Sequence, residues 1–200
     1  SKSIIQELRT ELKRRAPAPV ILQTAIAEAL VRAGLAGGAS GAGSSGGTGS
    51  ISNSASSAGG VSPGSGVAGA GRDRIRVDAE LPAEPVRVLA GPGLPGVFWN
   101  LFDNAAKAMP EGGVLTVTAR LAQARDRIIV EVGDTGVGIE PWRIASLFEP
   151  GASTTSNSYA PAHGLGLWWT KGQVEGFGGT IEVTSQPGAG TRFTLRLRLA

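Results

Sequence analysis

Apolar residues recur along this chain with two periods, one of three to four residues and one of two, and the alternation divides it into predicted helices and strands. Ile4, Ile5, Leu8 and Leu12 share one stripe of a helix over Ser3–Arg15, whose last turn carries Lys13, Arg14 and Arg15, where the helix dipole favours cations. Ala16-Pro-Ala-Pro19 stops it, and a second helix, rich in Ala, Leu and Ile, is predicted over Val20–Leu35. Period two begins at Arg74, where Ile75, Val77 and Ala79 alternate with charges, and Val86–Leu89 makes a short second strand. After Pro92, Gly93 and Pro95, a helix is predicted over Leu94–Met109, with Leu94, Val97, Phe98, Leu101, Phe102 and Ala105 forming a stripe that faces the core. Val114, Thr116 and Thr118 open a strand that turns through Ala122–Asp126 into another at Arg127–Val132. Pro141–Phe148 reads as a short helix, Gly151–His163 as a polar loop, and Leu165–Glu175 as a helix weakened by Gly172. Strands over Ile181–Thr184 and Arg192–Leu199 close the chain around Pro187 and Gly188. Strands clustered between irregularly placed helices predict an α/β fold, one mixed sheet with helices on one face.

Composition adds a linker to this picture. Much of the chain's complement of 31 glycines, with many Ser and Ala, lies between Ala36 and Gly71, where charge all but vanishes. The formal charge of +3 and pI near 9.8 point to no nucleic-acid partner, because the basic residues are scattered and the largest cluster is Lys13–Arg15. With no cysteine and one histidine, disulfides, thiol catalysis and Cys-based zinc sites are excluded, so any metal has to be held by oxygen ligands. No apolar run reaches the roughly 18 to 20 residues that cross a bilayer, which predicts a soluble piece. It opens on Ser rather than Met, as a piece of something longer would, and a membrane anchor upstream is compatible with that.

Three short segments carry candidate chemistry. On the helix from Leu94, the residues Asn100, Asn104 and Lys107 stand at i, i+4 and i+7, opposite the apolar stripe. Amide oxygens are hard ligands suited to Mg²⁺ and an ammonium suits phosphate, although a polar helix face is also ordinary solvated surface. Asp134-Thr-Gly-Val-Gly138 follows a strand directly; Gly136 and Gly138 let the backbone turn sharply, and an aspartate fixed there can accept an amine hydrogen bond. Local turn chemistry alone also produces such a segment. Gly164-Leu165-Gly166-Leu167 precedes a helix, so its N–H groups and the helix N-terminus suit an anion. It departs from both the Walker and the dinucleotide patterns.

In order and spacing the three together resemble the ATPase module shared by histidine kinases, type II topoisomerases, mismatch-repair proteins and heat-shock chaperones, over roughly Val20–Ala200 apart from the linker. Asn100-Leu-Phe-Asp-Asn104-Ala-Ala-Lys107 resembles the N box, Asp134-Thr-Gly-Val-Gly138 the first glycine box, Leu147-Phe148-Glu-Pro150 the F box and Gly164–Leu167 the second glycine box. The resemblance implies the Bergerat fold, a two-layer α/β sandwich with a mixed, mostly antiparallel sheet. It also implies that Asp134 receives the adenine amine, that Gly138 lines the base and that Gly136 belongs to the nucleotide site. Asn104, helped by Asn100, would hold Mg²⁺, and Lys107 would meet the phosphates of ATP. Phe148, Leu165 and the N–H groups of Gly164 and Gly166 join the nucleotide site, and Thr191, of the pair Gly190-Thr191, supports adenine through water.

ATP-hydrolysing members of the group place glutamate where this chain has Asn100, and an amide cannot take a proton from water. With the F box, this implies a sensor histidine kinase catalytic domain in a two-component system. Its γ-phosphoryl goes to a histidine on an upstream dimerisation and phosphoacceptor domain, and a response regulator receiver domain is a further partner. The full-length protein is then a homodimer and this domain is cytoplasmic. Residues 1–16 would end the upstream helix, although the same stripe would equally serve to cover the domain, and 17–200 would be the ATP-binding domain, interrupted by a flexible linker at 36–71. The family's acceptor lies on a long upstream helix, so His163 touches phosphate or solvent instead. The lid carries no Lys or Arg between Arg143 and Lys171, and Trp168 and Trp169 replace smaller residues. An ATP-binding regulatory module without transfer activity and a conformational ATPase are the alternative readings.

Overall fold

The computed structural model describes residues 17–36, 50–52, 72–151 and 165–200, with backbone only for 50–52. In chain order the elements are β1 (Pro19–Ile21), α1 (Leu22–Arg32), β2 (Ser50–Ser52), a 3₁₀ turn (Arg72–Arg74), β3 (Ile75–Glu80), β4 (Arg87–Leu89), α2 (Leu94–Ala108), β5 (Gly113–Leu121), β6 (Arg127–Asp134), α3 (Pro141–Ile144), α4 (Gly166–Gly176), β7 (Thr180–Gln186) and β8 (Gly190–Arg198). Six strands form one sheet in the order β2-β3-β5-β6-β8-β7. β3 and β5 run parallel and the other neighbours antiparallel. The fold is therefore the expected two-layer α/β sandwich, with a mixed, mostly antiparallel sheet covered by helices on one face.

Alternation decides which side of each strand is covered. Ile75, Val77 and Ala79 of β3, Leu115 and Val117 of β5, Ile128, Val130 and Val132 of β6, and Phe193, Leu195 and Leu197 of β8 are buried, and the residues between them face the open side. The stripe predicted on α2 is buried from Leu94 to Ala105, and Phe98 and Phe102 stack with ring centroids 6.1 Å apart. α1 adds Leu22, Ala25, Ile26 and Ala29, and α4 adds Val174. At about 1.5 to 3 kcal/mol for each fully buried large apolar side chain, this layer contact drives folding.

The helix expected over Val20–Leu35 is shorter at both ends. Val20 and Ile21 are β-branched and extend β1, which pairs antiparallel with β4 in the register Val20↔Val88. The Gln23 side chain fixes the chain between them, donating to the carbonyls of Pro82 (3.0 Å) and Glu84 (2.7 Å) and accepting from Val86 N–H (3.0 Å). At the other end Gly34, at φ +68°, donates to the Val31 carbonyl while Leu35 N–H reaches Leu30, a Schellman closure that ends the helix before Leu35.

Two further differences have local causes. The helix expected over Pro141–Phe148 stops at Ile144, after which Leu147 and Glu149 make bonds of the i to i−3 kind to Ile144 and Ser146. This turns Phe148 edge-on to Phe193, ring centroids 6.4 Å apart. Ser50–Ser52, inside the stretch read as linker, pairs antiparallel with Asp78–Glu80, because β3 otherwise offers an open row of backbone donors and acceptors on that side. The helix expected at Ser3–Arg15, the rest of the linker and the lid loop to Gly164, with His163, lie outside the described residues.

α4 approaches α2 closely because two glycines make room. A Cβ at Gly96 would lie 2.9 Å from the Trp169 ring, and one at Gly93 would meet the Gln173 side chain. Trp169 thus packs on α2 against the core, and Trp168 is half-buried. The buried Thr170 hydroxyl of α4 has no hydrogen-bond partner among the described residues. An orphaned hydroxyl costs about 1 to 3 kcal/mol, so Thr170→Val is expected to raise stability by about 1 kcal/mol. A thermal melt should rise by about 2 to 4 °C; a lower midpoint would mean that the hydroxyl has a partner in solution.

Candidate nucleotide site

The end of β6 and the start of β8 set the first part of the site. Asp134 and Thr191 are direct register partners across these strands, both on the helix-covered side. Asp134 Oδ1 accepts from Gly136 N–H (2.9 Å) and Thr191 N–H (3.3 Å), and Oδ2 has no hydrogen-bond partner among the described residues. Burial pushes the Asp134 carboxyl above the usual carboxylate range, and the two backbone donors only partly offset it. The carboxylate thus has one oxygen held by the backbone and one free to accept.

The glycines after Asp134 are required by close approach. A Cβ on Gly136 would lie 2.6 Å from the Ala108 carbonyl at the end of α2, and Gly138, at φ +72°, would drive one into the Gln186 carbonyl. Val137 N–H donates to Ala108 (3.1 Å) and Gly188 N–H to Val137 (2.8 Å), stitching the loop to α2 on one side and to the β7–β8 turn on the other. Ser185, which no sequence signal singled out, ties the same corner. Its Oγ accepts from Ile139 N–H (2.8 Å), donates to the Gly190 carbonyl (2.8 Å) and lies 3.0 Å from Thr191 Oγ1. A hollow of about 730 Å³ wraps this end of the sheet. Asp134, Ile144, Val183, Ser185 and Thr191 line it on the covered side, and Thr116, Thr118, Glu131, Gly133, Thr184 and Arg192 on the open face.

The α2 residues stand beside that loop. A Cβ on Gly166, the first residue of α4, would meet the Asn100 amide oxygen at 3.2 Å, so the start of α4 sits against Asn100. Leu165 precedes it, partly exposed. Asn104 lies one turn beyond Asn100, on the side toward Ala108 and the loop. Lys107 departs from the simplest expectation. Its ammonium is paired with Asp103 Oδ2 at 2.7 Å, the i,i+4 partner on the same helix. Asp103 is itself half-buried and bound through Oδ1 to Arg72 at 2.6 Å. Burial raises the Asp103 carboxyl, but the hydrogen bonds and charges of Lys107 and Arg72 outweigh it and hold it below the usual range. Phe148 packs between Phe193 and the Lys171 ammonium, which lies 5.4 Å from its ring, so its contacts here are with protein.

Residues 91–200 match the family model described as histidine kinase-, DNA gyrase B- and HSP90-like ATPase. The chain belongs to this family. Its similar relatives are sensor kinases. It is 31% identical over 140 residues to the sensor protein KdpD of Mycobacterium tuberculosis, covering 68% of this chain and 16% of that protein. It is 37% identical over 118 residues to the sensor histidine kinase ZraS of Escherichia coli, covering 59% and 23%. The autoinducer 2 sensor kinase/phosphatase LuxQ of Vibrio parahaemolyticus is 37% identical over 108 residues, 50% of this chain and 12% of LuxQ. The matched region is thus less than a quarter of each of these relatives. Among solved structures, the mycobacterial sensor histidine kinase MprB aligns at a TM-score of 0.63 over 92% of this chain and 97% of that one, and at 23% identity it supports the fold. Full-length ShkA in complex with AMPPNP aligns at 0.54 with 28% identity, over 63% and 26%. The chain therefore carries an ATP-binding catalytic domain of the ATPase family, of the kind found in two-component histidine kinases.

Proposed function

We propose that this domain binds ATP with Mg²⁺ and passes the γ-phosphoryl group to a histidine on a dimerisation and phosphoacceptor domain outside the chain. The observation that carries the reading is Asp134, a half-buried carboxylate with one oxygen held by Gly136 and Thr191 and the other free, lining a hollow at the end of the sheet. Such an acceptor, fixed and partly desolvated, suits the exocyclic amine of adenine. Gly136 and Gly138 let the loop after Asp134 close against Ala108 and Gln186, which fixes the carboxylate, and Thr191 and Ser185 hold a hydroxyl pair beside it. In this reading Asn104 and Asn100 offer hard amide oxygens to Mg²⁺. They are neutral ligands, and no group of three acidic or histidine side chains suited to a metal is present among the described residues, so a metal here would depend on the nucleotide's own phosphates. Mg²⁺ supplies charge neutralisation of the phosphates. Lys107 would meet the phosphate oxygens, and the N–H groups of Gly164 and Gly166, with Leu165 between them, would serve the anionic tail.

The step breaks the bond between the γ-phosphorus and its bridging oxygen, leaving ADP, and forms a bond from that phosphorus to an imidazole nitrogen. Asn100 takes no proton from water, so hydrolysis is slow beside transfer to the stronger nucleophile. Residues 1–16 would end the upstream helix of a homodimer whose phosphorylated histidine serves a response regulator receiver domain. Titration of AMPPNP by calorimetry, with and without Mg²⁺, tests the site. Binding is expected to tighten with Mg²⁺ in the wild type, and Asn104→Ala to lose most of that gain, about ten-fold in Kd. Equal binding with and without metal would overturn the assignment of Asn104. A second reading, a regulatory module that binds ATP without transfer, is favoured by the stretch between Arg143 and Lys171, which has no Lys or Arg. Labelling of a supplied phosphoacceptor domain by ATP would dismiss it.

A further inference from the structure

The geometry points to Asp103 as a positioning residue that withholds Lys107 from the nucleotide, so that ATP must take the lysine from it; this inference rests on the proposed phosphate contact of Lys107. Successive residues on a helix diverge by about 100°. Viewed down α2 from Asn100, Asn104 and Ala108 turn to one side, where Ala108 holds the Asp134 loop and Gly166 meets Asn100. Asp103 turns to the other side, toward Arg72 and α1. Lys107 stands between the two, and its ammonium is drawn to the Asp103 side.

Asp103 cannot follow the lysine. Its second oxygen is bound to Arg72, whose other nitrogen donates to the Ala33 carbonyl at the end of α1, so the carboxylate is tied through the arginine to a neighbouring helix. Lys107, more than half exposed on a flexible four-carbon stem, is the mobile member. A triphosphate on the Asn104 side therefore competes with a fixed carboxylate for one ammonium, and part of its binding free energy goes into breaking that pair.

Removing the competitor should strengthen binding. For the 200-residue chain with Mg²⁺, Asp103→Asn is expected to tighten ATP by about three-fold, the scale of one partly exposed ion pair, and to leave adenosine binding unchanged. In a double-mutant cycle the gain should vanish on a Lys107→Gln background. Because Asp103→Asn leaves Arg72 without its carboxylate, Arg72→Gln with Asp103→Asn repeats the measurement without that lone charge, and the same tightening is expected. Unchanged or weaker ATP binding by both folded variants overturns the inference, as does a gain that persists without Lys107. If Lys107→Gln alone leaves ATP affinity intact, the phosphate role of Lys107 fails and this inference with it. If Lys107→Gln weakens binding and the Asp103 variants do not tighten it, only the inference falls.

Discussion

Asp134→Asn should abolish ATP binding while making the empty protein more stable at neutral pH. The amide oxygen of asparagine can still accept from Gly136 and Thr191 N–H at the place of Oδ1. Its NH₂ group then occupies the free position, where a donor meets the donor of the adenine amine. A site built to pair a polar group rejects the unpaired arrangement strongly, and a loss of about 100-fold or more in ATP affinity is expected.

The gain in stability follows from burial. The folded carboxyl of Asp134 lies above its ordinary range, so the native state binds the proton more tightly than the unfolded chain does. Stability linked to this group is greatest below the unfolded pKa and declines as pH rises through the folded one, leaving a cost at pH 7. Asparagine carries no such cost. Asp103 has the opposite sign, contributing stability above the unfolded pKa that is lost as pH falls through its lowered folded value. Calorimetry with AMPPNP and thermal melts at pH 7 check both parts; binding retained within a few-fold would remove Asp134 from the adenine site. The wild type should also lose ATP affinity on acidification at a pH above the ordinary carboxylate range, since a protonated Asp134 no longer accepts through both oxygens.

The second large effect is expected at Gly190. This residue lies at φ +87°, and a Cβ there would run into the Asp134 carbonyl and lie 3.0 Å from the Thr135 backbone. Neither neighbour can give way, because both are backbone: Asp134 is in register with Thr191, and Thr135 N–H is bonded to the Val114 carbonyl. Backbone strain of about 1 to 3 kcal/mol adds to the steric clash. Gly190→Ala should therefore lose about 3 kcal/mol, a fall of about 6 to 12 °C in the melting midpoint. It should also displace Asp134 and weaken ATP binding. A melting midpoint within about 2 °C of wild type would mean that the corner between β6 and β8 is looser than its geometry.

The sheet and its principal helix were legible because their periods are clean. The α2 stripe and the alternation of β3, β6 and β8 each leave one reading of what is covered. β1 was not legible, since Val20 and Ile21 fit the start of a helix as well as a strand and only pairing with β4 decides between them. At the site, the sequence placed Asp134, Gly136, Gly138 and Thr191 in segments that the fold brings to one corner. Ser185 had no such mark, being one serine in a strand, and it matters through contacts with Ile139, Gly190 and Thr191 that arise only on folding. The partner of Lys107 was within reach, because Asp103 stands four residues before it and i,i+4 pairs of opposite charge commonly meet. What spacing did not reveal is Arg72, far away in sequence, which fixes that carboxylate in place.

The pairing of Ser50–Ser52 with β3 bears on how copies of the protein meet one another. A free strand edge invites a second chain to add to it, and three residues from a Gly- and Ser-rich stretch cover the half of β3 from Asp78 to Glu80. The new margin is only three residues long, too brief a template for stable intermolecular pairing. A stretch with the composition of a spacer thereby covers half of the β3 edge, while β7 forms the opposite margin of the sheet.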